Sequence, residues 1–102
     1  MAVFEIPLGP ESQIFNVSLN AIDYKFSLSW NPSSSAWNVD IYSSSGFLLV
    51  GGIEMVADTD LLEPYSNLNF GGQLIAQTDG EIGVNPTYDN LGIASHLYFI
   101  TP

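Results

Sequence analysis

His96 is the one histidine of this 102-residue chain, and histidine is the side chain whose proton equilibrium lies nearest neutral pH. As a general base it needs a nucleophile and an orienting acid, and no motif supplies either. In Ala94-Ser95-His96-Leu97-Tyr98-Phe99-Ile100 it falls out of phase with Leu97 and Phe99, alongside Tyr98. That placement reads as an ordinary strand histidine. Asp58-Thr59-Asp60 with Glu63 is an oxygen-rich cluster of the kind that holds calcium. It lacks the spaced ligands and the glycine of an EF-hand loop, and capping and loop solvation account for the same residues. Eleven carboxylates make some close pair inevitable, and no feature singles out the pair a glycosidase needs. Gly51-Gly52 and Gly71-Gly72 open no helix with a lysine, so they are not phosphate cradles. They read as bulges or as close backbone approaches. Trp30, Trp37 and Tyr42 have the ring surface for a sugar platform, yet both tryptophans fall in phase with core residues. With no cysteine, disulfides, thiol nucleophiles and thiolate metal sites are excluded. The chain is therefore not read as an enzyme, and no cofactor or metal is assigned to it.

The elements around these residues follow from hydropathy. Phe15, Val17 and Leu19 alternate with polar neighbours, and so do Tyr24, Phe26, Leu28 and Trp30. Both are period-2 strands with those residues facing inward. Positions 20–23 are turn formers of hairpin length. Asn31-Pro32-Ser33-Ser34-Ser35 breaks the pattern, because proline removes a ladder donor and biases Asn31 away from helix. Trp37, Val39 and Ile41 resume it, and Ser43-Ser44-Ser45-Gly46 turns the chain again. The apolar run 47–53 reads as a fourth, buried strand. Asp60-Leu61-Leu62-Glu63 has the form of a helix start with Asp60 as N-cap, but Pro64 limits it to one turn at most. Segment 70–78 reads as a strand with a glycine-softened start, Asp79-Gly80 as a turn, 86–92 as a loop and 94–100 as a closing strand. The expectation is an all-β fold, a small single-domain barrel or sandwich of about seven short, mostly antiparallel strands spanning 1–102.

Composition bounds the function. Apolar residues make up 46% and aromatics 13% of the chain, which excludes a disordered acidic tail. Size scaling gives a folded surface of roughly 5,700 Å². The net charge is −10, with Lys25 the only basic side chain and no arginine. One lysine cannot neutralise a phosphate backbone, so nucleic acid is excluded as a partner and anionic membrane surfaces are disfavoured. Residues 1–51 hold four acids and Lys25, or −3, and residues 52–102 hold seven acids, or −7. The first residues lack the positive region of a signal peptide, and no apolar stretch approaches a membrane span. Asn16-Val17-Ser18 matches a glycosylation sequon, which without a signal reads as chance.

Ile6-Pro7-Leu8, Leu28-Ser29-Trp30-Asn31 and Trp37-Asn38-Val39-Asp40-Ile41-Tyr42 resemble the N-terminal half of the plug proteins of contractile phage baseplates, the cyanophage-type plug family. Asp60-Leu61-Leu62-Glu63-Pro64-Tyr65, Phe70-Gly71-Gly72-Gln73-Leu74 and Thr78-Asp79-Gly80 resemble its second half. Pro86-Thr87-Tyr88-Asp89-Asn90-Leu91-Gly92 and His96-Leu97-Tyr98 complete the pattern. The resemblance implies a structural virion protein of the tail baseplate, assembled in the host cytoplasm. It implies a place at the central hub near the tube channel, hub and tail-tube proteins as partners, and several copies in a symmetric assembly. A negative wall beside a DNA conduit avoids sticking to phosphate, which fits that place. A β-sandwich carbohydrate-binding module is the alternative reading, and a hydrolase the third. For the partner interface the residues are Tyr65, Leu68, Phe70 and Tyr88. Segment 63–72 breaks strand periodicity yet keeps three large apolar groups, and aromatics are typical interface anchors. Leu68 and Phe70 equally suit a stopper for the open end of the barrel.

Overall fold

The computed structural model describes residues 2–101. Seven strands form two antiparallel sheets. β1 (Ala2–Ile6), β7 (Ser95–Thr101) and β6 (Gln73–Thr78) make one, in the order β1-β7-β6. β2 (Gln13–Leu19), β3 (Ile22–Asn31), β4 (Ala36–Ser43) and β5 (Leu48–Glu54) make the other, in sequence order. Alternation sets the register of the second sheet. Phe15 stands opposite Phe26, Phe26 opposite Ile41, Leu28 opposite Val39 and Trp30 opposite Trp37. Slipping any strand by one residue would turn its apolar set to water. The inner faces meet in one core: Phe26, Leu28, Trp37, Val39 and Ile41 from one sheet, Leu74, Ala76, Leu97 and Phe99 from the other. The accessible surface of 5619 Å² matches the scaling value, as expected when two apolar sheet faces cover each other. The fold is an all-β sandwich.

Three local expectations are corrected. The first hairpin turn is tighter than 20–23. Asn20 and Ala21 form it alone, with φ of 53° and 67°, and Ile22 and Asp23 already belong to β3. The run 47–53 is not a buried strand. β5 is an edge of its sheet, and Phe47, Leu48 and Leu49 are exposed while Val50 and Ile53 face the core. An apolar run cannot show how many of its faces are covered. The glycine pair inside it does mark an irregularity: the β4–β5 register shifts between Val39 and Tyr42, Gly52 has φ +71°, and its N–H donates to Asp40 Oδ1 at 2.7 Å. The third correction concerns the helix start. A kinked 3-10 stretch, Glu63–Leu68, forms with Leu62 as N-cap and Pro64 in its first turn, where a missing N–H costs nothing. Asp60 does not cap it. Its Oδ1 accepts from the N–H groups of Leu62 (3.0 Å) and Leu74 (3.1 Å), so it pins the loop to the start of β6.

β1 is the element that local pattern does not show. Its partner lies at the far end of the chain, with Ala2 opposite Thr101 and Ile6 opposite Leu97. The free side of β6 is partly covered by the chain leaving β5. Asp58 N–H donates to Ala76 C=O and Leu61 N–H to Leu74 C=O, both at 2.8 Å.

Candidate functional site

Strand directions sort the loops to two ends of the sandwich. One end holds the β2–β3 turn, the β4–β5 turn and the 3-10 stretch. The other holds the β1–β2 and β3–β4 connections and the long connection 79–94. Phe70 packs on Tyr24 near the start of β3, with ring centroids 5.2 Å apart. Tyr88 packs edge-on against Trp30 at 5.6 Å, near the end of β3. Six residue steps along β3 separate Tyr24 from Trp30, or about 20 Å. The four residues assigned to one interface therefore divide. Tyr65, Leu68 and Phe70 belong to the first end and Tyr88 to the second.

At the first end, Phe70 is 4% exposed and part of the core. Tyr65 is half-buried and packed against that core. Leu68 is 37% exposed. Asp60, Glu63, Tyr65, Asn69, Phe70 and Gly72 line an open cleft of about 350 Å³ here. Asn69 takes a left-handed conformation with φ 56° to end the 3-10 stretch. The pair Gly71-Gly72 is a close backbone approach, since side chains there would meet Asn20 and the carbonyl of Ile100.

At the second end, Trp37 is fully buried. Its indole N–H donates to the Thr87 carbonyl at 2.9 Å, and Tyr88 stacks over it at 6.1 Å with 13° between the rings. Tyr88 covers Trp37, so the aromatics pack on one another rather than offer a sugar a shared flat face. The connection around them is tied down. Asp58 Oδ2 accepts from Gly83 N–H at 2.6 Å, and Asn85 Oδ1 from Ala57 N–H at 2.8 Å. Buried Thr78 donates its hydroxyl to Val84 C=O at 2.7 Å, which leaves Ser95 to donate to Thr78 Oγ1 at 2.6 Å. Despite this bracing, Ile82 is 96% and Ile93 64% exposed.

Asp58 and Asp60 thus spend oxygens on backbone N–H groups. Among the described residues no group of three His, Cys, Asp or Glu side chains is placed to hold a cation. His96 is more than an ordinary strand residue. Its Nδ1 lies 2.8 Å from Glu5 Oε2 and its Nε2 3.0 Å from Asp79 Oδ2. Neither acid is legible in the sequence, because Glu5 reaches the ring through β1 and Asp79 through the turn after β6. The hydrogen bond to Asp79 is the main cause that raises the His96 pKa above 6.5; desolvation opposes it, and Glu5 adds to it.

The two packed sheets thus present two loop-bearing ends. Comparison with protein-family models matches residues 3–102 to the family described as Cyanophage baseplate Pam3 plug gp18. The chain belongs to this baseplate plug family. It is a structural plug protein of the virion tail baseplate, and plug proteins associate with other baseplate components. No curated protein matches the chain. Nothing in the fold or in the comparisons supports the carbohydrate-binding reading.

Proposed function

We propose that this chain is a non-catalytic plug, one domain over 1–102, that docks on the central hub beside the tail tube in several copies around the channel axis, after assembly in the host cytoplasm. The observation that carries the reading is the 3-10 end. Tyr65 packs there against the core to which Phe70 belongs, and Leu68 of the same stretch is exposed. Pro64 and the crowded glycine pair fix the segment before docking, which limits the entropy lost on binding. Tyr88 lies at the opposite end and serves a second contact.

Leu68 is the sharper probe of the hub contact, because Tyr65 also packs on the core. Leu68→Asp should leave the domain folded at a cost of about 1 kcal/mol, since the side chain is 37% exposed and outside the buried core. It should weaken co-purification with the hub protein by about 1–3 kcal/mol, the range of a moderate hot spot. Undiminished co-purification would move the interface to another face. With one lysine against eleven acids, the plug should also give no gel shift of duplex DNA at physiological salt. A shift at low micromolar protein would overturn that exclusion.

A further inference from the structure

β7 is the middle strand of its sheet, and His96 stands on its outer face with a side chain 15% exposed. The ring joins two elements far apart in sequence: β1 through Glu5, and the β6–β7 connection through Asp79. An ionised carboxylate only accepts hydrogen bonds, and a neutral imidazole carries one N–H. Two ring nitrogens at 2.8 and 3.0 Å from two carboxylates are both satisfied only when both carry protons. In the neutral ring one lone pair would face a carboxylate oxygen. The other groups around the ring do not change this requirement. Tyr98, on the same strand, lies 6.0 Å away ring to ring, and its own pKa is raised by burial and then by Glu5 and Asp79. Gln77 of β6 is the register partner of His96 and carries no charge. Glu81 makes no bond to the ring among the described residues, and the chain's one lysine is on β3 in the other sheet.

We infer that His96 is a charge-dependent latch, which as an imidazolium holds β1 and the β6–β7 connection to the middle strand at once and as a neutral ring must let one of them go. β1 is poised to respond. Among the described residues it pairs with β7 alone, and Val3 and Phe4 are already more than half exposed. The other end of the latch is the turn that begins the long 79–94 connection. The sign of the pH dependence follows from the raised pKa. The latch contributes its full stability below 6.5, the unfolded value, and loses it as pH rises through the folded value.

The test uses the whole plug, whose single histidine makes ring signals unambiguous. Nitrogen-15 NMR from pH 5 to 9 should show both ring nitrogens protonated at pH 6 and a midpoint above 6.5. Over the same range, amide-exchange protection corrected for intrinsic rates should fall roughly tenfold with deprotonation, at residues 3–6 or at 79–83. His96→Gln, which keeps one donor and no charge, should show no inflection. Thermal melts should show wild type gaining on His96→Gln as pH falls from 8 to 5.5. A midpoint at or below 6.5, a neutral ring at pH 6 beside a protonated carboxylic acid, or protection that does not change across the titration would each overturn the latch.

Discussion

Trp37→Ala should lower the unfolding free energy by about 3–5 kcal/mol, the cost of truncating a fully buried tryptophan. For a small domain of ordinary stability, about 5–15 kcal/mol in total, that is a large fraction. The melting temperature should fall on the order of 20 °C. The size of the effect comes from what meets at this ring. It is fully buried, stands opposite Trp30 in the β3–β4 register, is covered by Tyr88, and ties the 79–94 connection to the sheet through Thr87. The alanine variant loses the packing and the tether to the Thr87 carbonyl. Trp37→Phe separates the two losses, because it keeps an aromatic ring and removes the donor. It should cost about 1–2 kcal/mol. Urea unfolding with an unchanged m value is the measurement. A Trp37→Ala loss below about 1.5 kcal/mol would mean that this end is not packed as described.

The same residue shows how far the sequence is legible. Trp37, Val39 and Ile41 announce an inward face by strict alternation, as do Tyr24 to Trp30, and all of these but the rim residue Trp30 are buried. Such strands write their environment into adjacent positions. β5 does not. A run of apolar residues is compatible with two covered faces or with one, and Phe47 to Leu49 turn out to lie at an open edge. β1 is less legible still, because its pairing spans almost the whole chain and five residues carry too little pattern alone. His96 inherits that blindness, since its two acids reach it through β1 and a turn. For the proposed interface, loss of periodicity in 63–72 does mark an irregular segment, and it folds as a 3-10 stretch and a tight glycine corner. Sequence could not separate Phe70, which is core, from Leu68, which is exposed. Nor could it show that Tyr88 lies at the far end. Both facts depend on strand direction, which hydropathy leaves open.

Gly92→Ala should be about as damaging as the loss of a large core side chain, although it adds a single methyl group. Gly92 has φ +80°, a conformation that costs an L-residue about 1–2 kcal/mol. A side chain there would also run into the carbonyl of Leu8 and crowd the Gly9 N–H. Backbone on both sides cannot give way like a flexible side chain, so the 79–94 connection and the β1–β2 connection would have to part. The local framework resists that movement. Gly92 N–H donates to Ser95 C=O at 2.7 Å, and the Asn90 carbonyl accepts from Ile93, Ala94 and Ser95 at 2.9–3.1 Å. The neighbouring Leu91 is fully buried, so the strand start cannot slide outward without exposing it. The total cost should be about 3 kcal/mol or more. Gly80→Ala is the matched control. Gly80 also has positive φ, +71°, but nothing within 4 Å of its would-be Cβ, so it should cost the conformational part alone, about 1–2 kcal/mol. Chemical denaturation of both variants beside wild type reads the difference directly. The excess of Gly92→Ala over Gly80→Ala measures how tightly the two connections meet. Equal losses, within about 0.5 kcal/mol, would show that the approach of Leu8 to Gly92 does not hold this end of the plug together.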